Sequence, residues 1–194
     1  MPYAVELALD PITTGAVRRV WRELADAGIG YMAGSGAHPH VSFGIWETLD
    51  LARADAELTR FAAETPPIDL RLASVGLFPG VAVYLAPVVT EDLLGLHASL
   101  HRRIDCFGAG AWENYREGVW VPHCTLAMDL EANQFGTALA LAGRVGLPIQ
   151  CRLVDVGIVE FRPVRQVVSH TLGGPMMGPG YIAGRDASSD ISAA

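Results

Sequence analysis

The chain is short of positive charge: 14 Lys and Arg stand against 21 Asp and Glu, a formal net charge of −7 over 194 residues. A protein that grips long nucleic acid through its phosphates carries the opposite excess. That balance argues against an extended RNA or DNA duplex and favours a small anion held by directed hydrogen bonds. Cysteine is scarce as well. Cys106, Cys124 and Cys151 are an odd number without C-x-x-C spacing, so reduced thiols in a cytoplasm are expected rather than a disulfide framework. No apolar run approaches the ~20 residues a membrane span needs. The opening Met1-Pro2-Tyr3-Ala4-Val5-Glu6 lacks the basic and apolar regions of a secretory signal. A cytoplasmic protein without a membrane partner is therefore expected. Also missing are a G-x-G-x-x-G phosphate loop, an H-E-x-x-H zinc helix and a Ser-His-Asp nucleophile arrangement.

What is present is a hydrophobic content of 51%, enough for one substantial core or two small lobes that share one. Val5 to Leu9 alternates as a strand. After Asp10-Pro11, Thr13 or Thr14 is a candidate cap for a helix that Gly28 ends. A strand over His40 to Trp46 follows, then a helix over Leu49 to Glu64 with apolar spacings of three and four, then a strand over Ile68 to Gly76. The series then restarts. Strands are expected over Val81 to Ala86, Trp120 to Met128, Gln150 to Phe161 and Val164 to Leu172. Helices are expected over Thr90 to Phe107 and Glu131 to Val145, with a loop over Gly108 to Gly118.

Residue matches support a repeat. Ala4-Val5-x-Leu7-Ala8 reappears 78 positions later as Ala82-Val83-x-Leu85-Ala86. Ile68-x-x-Arg71-Leu72-x-x-Val75-Gly76 reappears 81 positions later as Ile149-x-x-Arg152-Leu153-x-x-Val156-Gly157. Between them lie Pro39-His40-Val41-Ser42-Phe43 and Pro122-His123-Cys124-Thr125-Leu126, their histidines 83 apart. The expected architecture is an α+β, bilobal duplicated fold. It has two antiparallel sheets flanked by helices, related by a pseudo-twofold axis, with a central cleft. One domain should cover residues 1–172, and the Gly-, Pro- and Ala/Ser/Asp-rich stretch 173–194 reads as a flexible tail.

If both motifs lie on strands, alternation puts His40 with Ser42 on one face and His123 with Thr125 on one face. Cys124 then points away and belongs to the core. Two polar side chains on one strand face serve packing poorly, and their duplication points to a shared site. An imidazole titrates near pH ~6.5, so one ring can take a proton while the other gives one up. Ser42 and Thr125 would donate to the non-bridging oxygens of a phosphate. This is a metal-free acid–base centre for phosphodiester chemistry.

These motifs make the chain similar to the two-histidine (2H) phosphoesterase superfamily, which includes 2′-5′ RNA ligase-like proteins and cyclic phosphodiesterases. The likeness rests on His40-Val41-Ser42-Phe43, His123-Cys124-Thr125-Leu126, Leu7-Ala8-Leu9-Asp10-Pro11 and Val121-Pro122-His123, and spans about residues 3–172. It implies opening of 2′,3′-cyclic phosphates to 2′-phosphates, related cyclic phosphodiester hydrolysis, or 2′-5′ RNA ligation, with no metal and no cofactor. Serine at position 42 replaces the commoner threonine, keeping the donor and losing only the methyl that restricts its rotamer. The partner expected is a small nucleotide or an RNA terminus bearing a cyclic phosphate, and the protein itself is expected to be a monomer.

Trp120, in the lead-in to the second motif, is the best candidate to stack on a base, ahead of Trp46 and Tyr115. Arg116 and the Arg102-Arg103 pair are weaker candidates for a phosphate. His38 reads as a loop residue beside the chemistry, His97 and His101 as a solvated or partly buried helix face, and His170 as a strand residue without a role. Three alternatives stay open on the residues alone. They are RNA end joining, a nucleotide-binding module without turnover, and a metalloprotein using His38, His40, His97 or His101. The motifs' symmetry leaves open which of His40 and His123 is acid and which is base.

Overall fold

A computed structural model describes residues 1–161 and 163–175. Eight strands form one antiparallel network: β1 (Tyr3–Leu9), β2 (His40–Leu49), β3 (Ile68–Phe78), β4 (Ala82–Pro87), β5 (Gly108–Ala111), β6 (Cys124–Met128), β7 (Ile149–Glu160) and β8 (Arg165–Thr171). The helices are α1 (Pro11–Asp26), α2 (Tyr31–Gly34), α3 (Leu51–Glu64), α4 (Glu91–Ile104) and α5 (Phe135–Ala142). Among the described residues no helix is long and apolar enough to cross a membrane.

The antiparallel sheet flanked by helices is as expected, but the two expected sheets are joined into one path, β5-β2-β1-β7-β3-β4-β6, with β8 also on β7. The joint is the 12-residue β7. Its first residues pair with β3 and its remainder with β8, while β1 runs along the opposite edge. Leu70 pairs with Cys151, its own counterpart in the repeat. Ile68 accordingly meets Leu153, and Leu72 meets Ile149. The pairing of the two strands is thus centred on Leu70 and Cys151.

Asp10 closes β1 and opens α1. Its carboxylate accepts from the Thr13 N–H at 2.9 Å and from the Arg152 N–H at 2.9 Å. The cap is thus Asp10 rather than Thr13 or Thr14, and Pro11 fills the first helical position, where its missing N–H is not needed. Val17, Val20, Trp21 and Leu24 form the buried face of α1. The helices cross between the halves of the sheet: α1 packs on β6 and α5, while α4 packs on β2. Each motif strand is therefore backed by a helix from the other end of the repeat.

Some boundaries differ for physical reasons. Gly108–Ala111 forms β5 rather than a loop, pairing Ala111 with Trp46 and Gly108 with Leu49. Gly-Ala-Gly-Ala has no apolar alternation to announce a strand, and Gly108 lets the backbone lie against the Trp46 indole. The first residues of the stretch read as a tail have backbone partners. The Gly173 and Gly174 N–H groups donate to the Ala62 and Thr65 carbonyls at 2.9 and 3.0 Å, docking this segment on the end of α3. Residues 176–194 lie outside the described residues.

Candidate active site

The two motif strands pair with their neighbours in matching registers. Ser42 on β2 lies opposite Glu6 on β1, and Thr125 on β6 lies opposite Tyr84 on β4. In each pair a bulge follows: Val5 meets Gly44, skipping Phe43, and Val83 meets Ala127, skipping Leu126. A bulge takes backbone groups out of the ladder, and buried carbonyls need other donors. The Phe43 carbonyl accepts from His97 Nε2–H and His101 Nε2–H, both at 2.9 Å. Trp120 Nε1–H donates to the Ser42 carbonyl at 3.0 Å, and Trp21 Nε1–H donates to the Thr125 carbonyl at 3.1 Å. The backbone of each hydroxyl residue is thus pinned from behind by a buried indole.

In front of these strands opens a cleft of about 560 Å³. His40, Ser42, His123 and Thr125 all line it, together with Glu6, Phe78, Trp112 and Tyr115. Both imidazoles are held alike. Nδ1–H of His40 donates to the His38 carbonyl at 2.6 Å, and Nδ1–H of His123 donates to the Val121 carbonyl at 2.7 Å. A carbonyl only accepts, so each ring carries its proton on Nδ1 and its reactive lone pair on Nε2. Burial lowers the pKa of both rings below the usual histidine value, which favours neutral imidazoles near pH 7.

Beyond that likeness the two histidines differ. Glu6 is buried, with Oε1 3.0 Å from His38 Nε2 and Oε2 3.2 Å from His40 Nε2. Burial pushes its carboxyl up to about 7, against a smaller opposing pull from His38. His123 has no such neighbour within ion-pair distance among the described residues. Its ring stands edge-on to Phe78 at 4.9 Å between centroids, beside Tyr84 at 5.3 Å and Tyr115 at 6.4 Å. Among the described residues, Glu6, His38 and His40 are the one trio of donors compact enough for a metal ion, all within 4.8 Å of one another. Their contacts are equally those of imidazoles sharing protons with a carboxyl group.

The candidate stacking residue Trp120 is a correction. Its ring is buried and does not line the cleft. It stacks on His97 at 4.0 Å and 10°, and meets Phe43 edge-on. Trp46 is likewise buried, donating Nε1–H to Asp105 Oδ1 at 3.2 Å. Of the three aromatic candidates only Tyr115 reaches the cleft. His97 and His101 are fully buried rather than solvated, and their Nε2 atoms serve the Phe43 carbonyl instead of converging on an ion. His170 pairs with Asp55 at 2.7 Å on α3, away from the cleft. Arg116 pairs with Glu113, and Arg103 with Glu57 and Glu64. Cys124 is buried, and burial pushes its thiol up to about 12, so it belongs to the core.

The family model of the 2′-5′ RNA ligase superfamily matches residues 15–163. The chain belongs to the 2′-5′ RNA ligase superfamily. It is 30% identical over 91 residues to a protein of Oceanobacillus iheyensis that carries a provisional phosphoesterase name, covering 46% of this chain and 49% of that one. A similarly named protein of Geobacillus kaustophilus is 33% identical over 81 residues, 41% of this chain and 43% of that one. The match thus spans about half the length of these curated relatives. The crystal structure of TT0787 of Thermus thermophilus superposes with a TM-score of 0.61 at 16% identity, covering 91% of this chain and all of that one. Escherichia coli LigT complexed with NADP+ superposes with a TM-score of 0.51 at 15% identity, covering 88% and 96%. At these identities the two structures speak for the fold alone.

Sequence reasoning passed over Glu6. The signal was in the repeat: Glu6 and Tyr84 are the variable position of the matched Ala-Val-x-Leu-Ala strings. They sit opposite the two hydroxyl residues, so the one position at which these two strings differ falls beside the chemistry.

Proposed function

We propose that this superfamily member is a metal-independent phosphoesterase that opens cyclic phosphodiesters, 2′,3′-cyclic nucleotides or RNA-terminal cyclic phosphates, to 2′-phosphates. One observation carries the reading: two imidazoles fixed in the same tautomer line one cleft with the hydroxyls of Ser42 and Thr125. One Nε2 takes the proton of the attacking water, and the other ring gives a proton to the departing ribose oxygen. Ser42 and Thr125 donate to the non-bridging oxygens as charge builds on phosphorus. The apolar and aromatic wall of Phe78, Trp112 and Tyr115 suits a nucleoside. A nucleotide, NADP+, occupies the superposed LigT structure, which supports a ligand of that class.

RNA end joining is the second reading, favoured by the superfamily's name. It needs contacts along a longer phosphate chain, and the described residues lining the cleft include no Arg or Lys. Purified protein offered 2′,3′-cyclic nucleotides in one reaction and RNA halves in another, in excess chelator, decides between them. Turnover of the cyclic nucleotides, abolished by His40→Ala or His123→Ala, is the expected result. Turnover of the RNA halves alone would give the site to ligation.

A further inference from the structure

We propose that Glu6 is a positioning residue that makes His40 the proton donor of the pair and leaves His123 as the proton acceptor. The inference rests on the phosphoesterase reading above and assigns the two roles that the motifs' symmetry leaves open. It starts from a count of protons. His40 Nδ1–H is committed to the His38 carbonyl at 2.6 Å, so a neutral His40 ring presents a bare lone pair at Nε2. Glu6 Oε2 lies 3.2 Å from that nitrogen, its side chain only 4% exposed. A bare lone pair facing a carboxylate oxygen at that distance is repulsive, so one proton belongs to the pair, whichever atom holds it. Burial reinforces this count, because it disfavours an isolated carboxylate and an isolated imidazolium but not the neutral sum of the two.

His123 has the same Nδ1 bond and no carboxyl group behind it among the described residues. At the place in β4 that corresponds to Glu6 stands Tyr84, opposite Thr125 as Glu6 is opposite Ser42. Tyr84 packs its ring against His123 at 5.3 Å, tilted by 56°, and brings no carboxyl group, so His123 Nε2 keeps its lone pair. In the reaction a water oxygen bonds to phosphorus and its proton passes to His123 Nε2. The bond from phosphorus to the 3′ oxygen breaks, its electron pair stays on that oxygen, and the proton on His40 Nε2 passes to it as the bound phosphate displaces Nε2–H from its 3.2 Å contact with Glu6 Oε2. His123 then returns its proton to solvent, and the His40–Glu6 pair takes one up, so water is the sole co-reactant.

The titratable groups around Glu6 come from several elements. His38 precedes β2 and His40 begins it. Tyr115, whose hydroxyl burial pushes up to about 12 with Glu6 adding to the shift, follows β5. Arg18 of α1 and Asp155 of β7 act on His38, and His123 faces His40 from beside β6. Among the described residues, only His40 and His38 reach the carboxyl oxygens within ion-pair distance.

Imidazole 15N NMR on the full chain, across a pH series, tests the assignment without depending on turnover. In Glu6→Gln the carboxamide fills the same space but cannot exchange a proton with His40. The His40 midpoint should fall by about one pH unit or more, with His123 unmoved. In parallel, the alkaline limb of the rate profile should move down by the same amount. The expected kcat loss is about tenfold or more, with KM little changed, and Glu6→Asp should restore part of both. An unmoved His40 midpoint, a shift at His123 instead, or an unmoved alkaline limb would overturn the role. So would a zinc ion that survives chelator dialysis at one per chain and perturbs His38 and His40, since it would stand where the shared proton is placed. If wild-type protein opens no cyclic phosphodiester while the NMR shift appears, the phosphoesterase reading fails and the Glu6–His40 coupling stands.

Discussion

Replacing Trp120 with phenylalanine removes one N–H from behind the first motif and trims a buried ring. That N–H reaches the Ser42 carbonyl at 3.0 Å in a buried setting. Leaving a buried carbonyl without its donor costs about 1–3 kcal/mol. The loss of part of the stack on His97, 4.0 Å away, adds roughly 0.5 kcal/mol. A total near ~2 kcal/mol corresponds to a fall in Tm of roughly 4–8 °C for a chain of this size. Thermal unfolding by circular dichroism measures it, and Trp21→Phe, which strips the matching donor from the Thr125 carbonyl, should behave alike. KM for a 2′,3′-cyclic nucleotide should change by less than about twofold, because the ring does not touch the cleft. A stacking platform predicts the reverse: a loss of about 1–3 kcal/mol of base binding, or a KM raised roughly fivefold to more than a hundredfold. An unchanged Tm with such a rise in KM would refute the structural role given to Trp120.

Other outcomes follow from the same geometry. His40→Ala and His123→Ala should each lower kcat by about 10²–10⁴, with the double variant losing less than the product of the two because the rings act as a unit. Burial first, and His101 second, push His97 down to about 4. Between about pH 6.5 and 4 the unfolded chain therefore binds a proton that the folded chain refuses. Stability should be level above that window and decline as pH falls through it, and His97→Gln should flatten the decline in urea titrations. In Gly76→Ala the new methyl would press on the Tyr84 ring, about 2.5 Å away, and disturb the ring that packs beside His123. Its kcat should fall several-fold while Gly15→Ala, in open space on α1, leaves activity unchanged.

The parts of the site that could be read from the chain are those governed by local periodicity. His40 with Ser42, and His123 with Thr125, needed only the alternation of a strand and the repeat to be placed together. Glu6 was different. A single glutamate in Val5-Glu6-Leu7 looks like an outward-facing residue. What buries it is pairing with Gly157 on one side and Ser42 on the other, contacts set by residues far away in sequence. Trp120 sits two residues from the motif, yet sequence proximity says nothing about which way a ring turns. The spacing of His97 and His101 was visible, but their task depends on the bulge at Phe43, and no pattern in the sequence announces a bulge. The single connected sheet has the same cause, since one long β7 pairs with three partners.

The proposed function is the opening of a cyclic phosphodiester by two histidines lining one cleft, without a metal. The most direct test is turnover of a 2′,3′-cyclic nucleotide in excess chelator, followed by 31P NMR to locate the product phosphate, for wild type, His40→Ala and His123→Ala. The expected results are a 2′-phosphate from the wild type and a loss of about a hundredfold or more in either variant. Undiminished turnover in either variant, or wild-type turnover that disappears with the chelator, would contradict it.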